Sequence, residues 1–385
     1  MSNFTQIGDI VVDTSVPASG ANCIDVTVVG TVTYAALTQL KGSPVGTHIY
    51  KYDSNDSNGW VLEHTYSVIG TSIAISKDAN TVVISNNTLE RNTTYKWEGR
   101  VWIFERESGG GWPSDPTKTY YGDGYQYMMG SRLRLSDDGQ VVITYARVYA
   151  ATQATDAFDP QTTGWDNASS INLKDNKFCG MIRVFCKSST GDWPESANYE
   201  EFGQYWGQYF GVGLDICQYN NATYIAIGSK ELAADGVPQY KRNSTDSNHQ
   251  NYNNIQPSDE ASWGGVKVIS CGDPSTSTQA DWSQVGSSCH GTTENGFFGG
   301  YNVFLKNHQS NLVLFSAERH GYVKTFVYDT TAGTPAWDQK IVSGDTTTGD
   351  GLGYIFGQGQ NVFDNKMNKD LFMGEIDGDG SIYIW

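Results

Sequence analysis

Apolar and polar residues alternate along this chain in short runs, and most runs stop at glycine, asparagine, aspartate or serine. A period of two sets one side of a strand in a core and the other in water. Gly99-Arg-Val-Trp-Ile-Phe and Gly180-Met-Ile-Arg-Val-Phe carry the pattern plainly. No longer stretch holds the 3.6-residue period of an amphipathic helix, so the pattern predicts an all-β fold with little helix.

The runs recur in a fixed order. A glycine, usually after a bulky residue, precedes a first strand: Ile69-Gly70, Met129-Gly130, Phe210-Gly211, Phe298-Gly299, Phe356-Gly357 and, in degenerate form, Ser19-Gly20. Second strands are expected at Val32 to Ala36, Thr81 to Ile84, Val141 to Thr144, Tyr224 to Gly228, Leu312 to Phe315 and Leu371 to Gly374. The turns before them, such as Asp137-Asp138-Gly139, are hairpin chemistry, because these residues tolerate positive φ. Third strands open on Gly46, Gly99, Gly180, Gly265, Gly321 and Gly380. Fourth strands are expected to begin at Trp60, Trp112, Trp193, Trp282 and Trp337.

Five complete four-stranded units result, and a sixth stops at Trp385 without its fourth strand. Phe4-Thr-Gln-Ile-Gly-Asp-Ile resembles Trp282-Ser-Gln-Val-Gly-Ser-Ser, so residues 4–10 are expected to pair beside Gly380–Trp385. The prediction is one six-bladed β-propeller of four-stranded antiparallel blades, closed by the N-terminal strand completing the last blade. Seven blades is the alternative, should an insertion hide one. The expected blades are 20–68, 69–122, 128–200, 209–290, 297–343, and 354–385 with 4–10. Closure would remove the open edges that invite aggregation.

From the first-strand glycine to the third-strand glycine the spacing is 26, 29, 50, 54, 22 and 23 residues in chain order. The excess falls between second and third strands, at 147–179 and 230–263, with a smaller extension at 86–98. In an up-and-down blade these loops leave on the face that carries the blade-to-blade connections. They hold Tyr95, Trp97, Tyr149, Phe158, Trp165, Tyr240, Tyr252 and Trp263. Rigid aromatics among adaptable amides suit recognition of a protein or a sugar, which makes these the candidate binding residues. The competing reading is that they pin the loops to the blades.

Charge narrows the partners. A net charge of −17 and a pI near 4.6 disfavour nucleic acid. Met-Ser-Asn-Phe-Thr-Gln-Ile-Gly-Asp has neither a basic nor an apolar segment, so no secretory signal is expected, and no run predicts membrane insertion. The six cysteines, 23, 179, 186, 217, 271 and 289, form no Cys-x-x-Cys pair and are expected as free thiols. The glycosylation-type triplets at Asn92, Asn221 and Asn243 then mark polar loops.

The Phe-Gly openings and the Gly-x-Val-x-Val-Phe third strands resemble the FG-GAP repeat of integrin-α-like propellers over nearly the whole chain. Phe-Gly is intact at Phe210-Gly211, Phe298-Gly299 and Phe356-Gly357, and the Gly-Ala-Pro triplet is absent. That family often binds calcium through Asp- and Asn-rich loops. The resemblance implies Ca²⁺ candidates at Asp53, Asn55, Asp377 and Asp379, where hairpin turns are the competing reading. No other cofactor is expected. In composition the chain also resembles propeller proteins of marine phage and algal-virus particles.

Catalytic patterns are sparse. The histidines are scattered, and no Gly-x-Ser-x-Gly or phosphate loop occurs. Ser136-Asp-Asp-Gly-Gln-Val-Val-Ile lacks the tryptophan of the sialidase Asp-box and reads as a single copy. Only Arg132 and Arg134 lie near a first strand as a central pocket would require, and Glu200-Glu201, adjacent on a strand, should face opposite ways. The expected function is a non-enzymatic virion structural protein, made in a host cytoplasm. It would contact other virion proteins, copies of itself, or a host-surface glycan or receptor. A carbohydrate- or protein-binding adhesin and a glycoside hydrolase are the alternatives.

Overall fold

The computed structural model describes residues 21–39, 45–53, 59–90, 97–123, 127–147, 180–203, 209–230, 264–291, 298–300, 303–308, 310–317, 323–330, 336–343, 375–376 and 381–382. Five antiparallel sheets follow one another along the chain. The first holds β1 (Ala21–Val29), β2 (Val32–Gln39), β3 (Gly46–Asp53) and β4 (Trp60–Tyr66). The second holds β5 (Ser72–Ile75), β6 (Thr81–Asn86), β7 (Arg100–Glu105) and β8 (Lys118–Tyr121). The third holds β9 (Met129–Leu135), β10 (Val141–Ala146), β11 (Met181–Cys186) and β12 (Tyr199–Phe202). In the fourth, β13 (Gly213–Tyr219), β14 (Ala222–Ser229) and β15 (Gly265–Cys271) carry a broken outer strand. Its pieces are β16 (Ser283–Gln284) and β17 (Cys289–His290), both on β15. The fifth holds β18 (Val303–His308), β19 (Asn311–Ala317), β20 (Val323–Asp329) and β21 (Ala336–Ser343). A last antiparallel pair joins β22 (Glu375–Ile376) to β23 (Ser381–Ile382). Residues 4–10, expected beside this pair, lie outside the described residues.

The sheets stack through their first strands. β1 touches β5, β5 touches β9, β9 touches β13, and β13 touches β18. The apolar clusters accordingly lie between sheets. Ile73 and Ile75 meet Ile49 and Tyr66 in the first seam, and Leu133 and Leu135 meet Ala74 and Val83 in the second. Leu214 and Ile216 meet Ile143 and Val184 in the third, and Val303 and Leu305 meet Ala226 and Val268 in the fourth. Side chains alternate along a strand, so a sheet with neighbours on both sides is buried on both faces. That is why every residue of β6 and β10 is buried. This is blade packing of the propeller type. Each Leu, Ile or Val so enclosed contributes about 1.5–3 kcal/mol.

The two glycine signals of the repeat are halves of one contact. A Cβ on Gly99 would stand 2.1 Å from the carbonyl oxygen of Met129, and one on Gly180 would stand 2.4 Å from the Phe210 amide nitrogen. Both glycines also have positive φ, +82° and +78°. Third-strand glycines therefore let the next blade's Met129 or Phe210 approach backbone to backbone.

The structure corrects two expectations. Trp112 and Trp193 do not begin strands, since β8 and β12 start at Lys118 and Tyr199. Both indoles are buried in the seam with the preceding blade, Trp112 in the first and Trp193 in the second. Their regular spacing reports a packing position. The Ser136 turn also recurs. Ser136 Oγ donates to Asp138 Oδ1 at 2.5 Å and accepts the Gln140 and Val141 N–H groups at 3.1 and 2.9 Å. Ser76 Oγ donates to Asp78 Oδ1 at 2.6 Å and accepts Asn80 and Thr81 N–H at 3.1 and 2.9 Å. The second copy is hidden in the sequence because Ala79, at φ 56°, stands where the third sheet has Gly139.

Candidate binding site

Of the candidate residues on the loop face, Trp97 alone falls within the described chain. It is 45% exposed, and its carbonyl accepts the Met128 N–H at 2.8 Å where the second sheet's long loop meets the connection to the third. Tyr95, Tyr149, Phe158, Trp165, Tyr240, Tyr252 and Trp263 lie outside the described residues, as do Asn55, Asp377 and Asp379. Asp53 closes β3 opposite Val32 and is half-buried. Among the described residues no group of three or more His, Cys, Asp or Glu is gathered as a metal would need.

A residue that sequence reasoning missed anchors the same face. The Arg147 guanidinium lies 5.6 Å and the Lys230 ammonium 4.7 Å from the centroid of the Tyr209 ring. Arg147 is the last described residue before 148–179 and Lys230 the last before 231–263, so the roots of both long insertions meet on one ring. Each contact is worth about 0.5–1 kcal/mol where water reaches it. Tyr209 sits at φ 50°, and Met128, its counterpart one blade earlier, at φ 53°. Left-handed backbone costs a bulky residue about 1–2 kcal/mol, so the surrounding packing enforces it. The available signal was positional: both stand two residues before the first-strand glycine.

The opposite face carries the short turns, and a groove of about 790 Å³ opens there between the third and fourth sheets. Its walls are Asp138 and Gln140, the turn around Ser188 and Gly191, the hairpin Asn220-Asn221, and the stretch Gly272 to Ser275. Local hydrogen bonds hold these turns. The Ser188 and Gly191 N–H groups donate to Asp192 O and Ser188 O, each at 2.9 Å. Asp273 Oδ1 accepts the Ser275 N–H at 3.0 Å and its hydroxyl at 2.7 Å, and the hydroxyl and amide of Ser275 hold that exposed carboxyl below the usual carboxylate range. Bonds also run from turn to turn. Thr27 Oγ1 donates to Lys77 O at 3.1 Å, and the Lys77 N–H to Asp137 O at 2.8 Å. Gln218 donates to Asp138, and the Tyr219 hydroxyl to Ser310 O at 2.9 Å. All five sheets are thus linked across this face.

The described carboxylates near these seams already hold partners. Glu200 meets Arg183 at 2.6 Å while Glu201 meets Lys267 of the fourth sheet at 2.5 Å, in opposite directions as strand alternation requires. Asp25 accepts the Ile75 N–H at 2.7 Å, and Lys187 of the groove wall pairs with Glu105 at 2.6 Å. The groove therefore presents mainly amides, hydroxyls and backbone groups.

No protein-family model and no curated protein sequence matches this chain. Several solved structures share its outline. The periplasmic gluconolactonase PpgL of Pseudomonas aeruginosa has a TM-score of 0.43 at 11% identity, over 82% of this chain and 71% of that one. The β-propeller domain of Myceliophteria thermophila Cps50 (Swd1) has a TM-score of 0.37 at 9% identity, over 74% and 63%. An exo-β-1,3-galactanase of Phanerochaete chrysosporium has a TM-score of 0.35 at 9% identity, over 89% and 68%. Sheet order and seam packing, rather than these distant likenesses, define the class as an all-β protein of propeller-type blades.

Proposed function

We propose that this chain is a non-catalytic recognition protein that holds a polar, extended ligand, such as a glycan strand, in the groove between its third and fourth sheets. The observation that carries the reading is the groove itself, walled by bonded turns rich in uncharged polar groups. Amide and hydroxyl rims suit a hydrated, polyhydroxylated partner, and turns already held in place lose little entropy on binding. Neighbouring carboxylates committed to ion pairs and backbone N–H groups favour recognition over acid–base chemistry. A glycan array read with the wild type and a Gln140→Ala/Asn220→Ala variant tests it. Binding weakened by about tenfold or more with an unchanged melting curve is expected, since two lost hydrogen bonds suffice for that. A wild type that binds no glycan or surface extract defeats the reading, and turnover of a polysaccharide would replace it with a glycoside hydrolase.

The finer architecture we propose is six blades, closed by residues 4–10 pairing beside 380–385. Deleting residues 1–10 should then lower the melting temperature and promote self-association, and an unchanged melting curve rules closure out. As its setting we propose a virus or phage particle, on the acidic, Asn-, Tyr- and Gly-rich composition. The loop face would meet sister subunits or the host surface. Electron microscopy of the source particle decides that, and a protein found only free in cytosol counts against it.

A further inference from the structure

Arg132 is a cation that the described residues leave unanswered. Acidic residues outnumber basic ones by 42 to 25, and most arginines in the blades have found a partner. Arg106 meets Glu63 at 2.6 Å, Arg183 meets Glu200 at 2.6 Å, and Arg134 Nε lies 3.6 Å from Asp215 Oδ1. Arg100 lies 4.7 Å from the Tyr121 ring centroid, and Arg147 lies over Tyr209. Among the described residues Arg132 donates no side-chain hydrogen bond and meets no carboxylate. Its ionisable neighbours are Arg134 and the Tyr145 phenol.

Its place in the fold sets it against a second cation. Arg132 and Arg134 are two apart on β9, the first strand of its blade, so their side chains leave on the same side. That side faces the fourth sheet, because Arg134 reaches Asp215 of β13 and because Tyr145, directly opposite Arg132 on β10, is buried in the seam between the two sheets. Burial first, then the like charge of Arg134, pulls the Arg132 guanidinium down to about 10. Arg132 is half-buried, and a partly desolvated guanidinium beside a second cation gains from an anion that completes it. Its planar fork of N–H donors matches two oxygens of one carboxylate or sulfate group.

We propose that Arg132, with Arg134 beside it, is an oxyanion site that receives a carboxylate or sulfate group of a ligand through paired N–H···O bonds. The site is independent of the groove. It rests on inner-strand residues, and either could fail alone.

Calorimetry of the full chain with sodium sulfate and with sodium glucuronate, in chloride buffer of matched ionic strength, tests it. Saturable binding is expected with one or both, and the pair separates a free inorganic anion from an acidic sugar. Arg132→Lys keeps the charge but loses the fork and should bind about tenfold more weakly. Arg132→Met should abolish binding and melt no lower than the wild type without anion, since it removes a partly desolvated charge that faces another cation. A wild type that binds neither anion overturns the proposal. So does an Arg132→Met variant that binds as well as the wild type, or one that melts lower while the wild type shows no anion dependence.

Discussion

The Asp215 carboxylate accepts the backbone N–H of Leu305 at 2.7 Å, reaching from the first strand of the fourth sheet to that of the fifth. Asp25 makes the same bond to Ile75 three blades earlier, so the two aspartates tie neighbouring inner strands at matching positions. Asp215→Ala should destabilise by about 2–4 kcal/mol, because it strands a buried N–H and also removes the partner of Arg134. Asp25→Ala strands the Ile75 N–H and should cost less, about 1–3 kcal/mol. Urea unfolding of both variants measures the difference, and equal losses would remove Arg134 from the account.

Gly99→Ala and Gly180→Ala test the backbone contact between blades. Each adds a Cβ against the next blade's backbone at positive φ and should destabilise by about 2 kcal/mol or more. A Cβ on Gly109 would meet nothing within 4 Å, and this glycine lies outside the left-handed region. Gly109→Ala should therefore stay within about 0.5 kcal/mol of the wild type. Thermal melts of the three decide whether position or glycine content matters.

Ser76→Ala and Ser136→Ala should behave alike. Each removes one hydroxyl that accepts two backbone N–H groups in the same turn, at a cost of about 1–2 kcal/mol. Unequal losses beyond about 1 kcal/mol would mean that the two turns are not energetically equivalent, whatever their geometry.

Two buried thiols predict the alkaline limb of stability. Burial pushes Cys23 up to about 11 and Cys186 up to about 12, from an ordinary 9.0. Between those values the unfolded chain ionises while the folded chain keeps its protons, so the unfolded state binds fewer protons and stability falls as pH rises. The contribution is intact below pH 9 and declines from there towards pH 12. Cys23→Ser/Cys186→Ala should flatten that limb in denaturant titrations. A thiol reagent at about pH 8 should label both cysteines only after unfolding, because the thiolate is the reacting form.

Strand order within each sheet was legible from residue patterns, since a period of two and Asp-Gly or Asn-rich turns are local properties. Val141 to Thr144 and Tyr224 to Gly228 fall inside β10 and β14 for that reason. The tryptophans misled because an indole before a strand and one within it give the same spacing. Trp337 lies in β21, whereas Trp112 lies six residues ahead of β8. The Ser76 turn escaped because a hydroxyl cap is geometry, and alanine can occupy its left-handed position at some cost.

Sequence by itself thus determined the three inner strands of five units and the order of strands within each, because neighbouring residues suffice to set alternation and hairpins. Tertiary structure decided what each unit meets. Gly99 against Met129, Arg147 and Lys230 on Tyr209, the groove between two blades and the isolation of Arg132 among the described residues all arise across seams. There, partners far apart in the chain are brought together by the burial of both faces of every inner sheet, and no local pattern records that pairing.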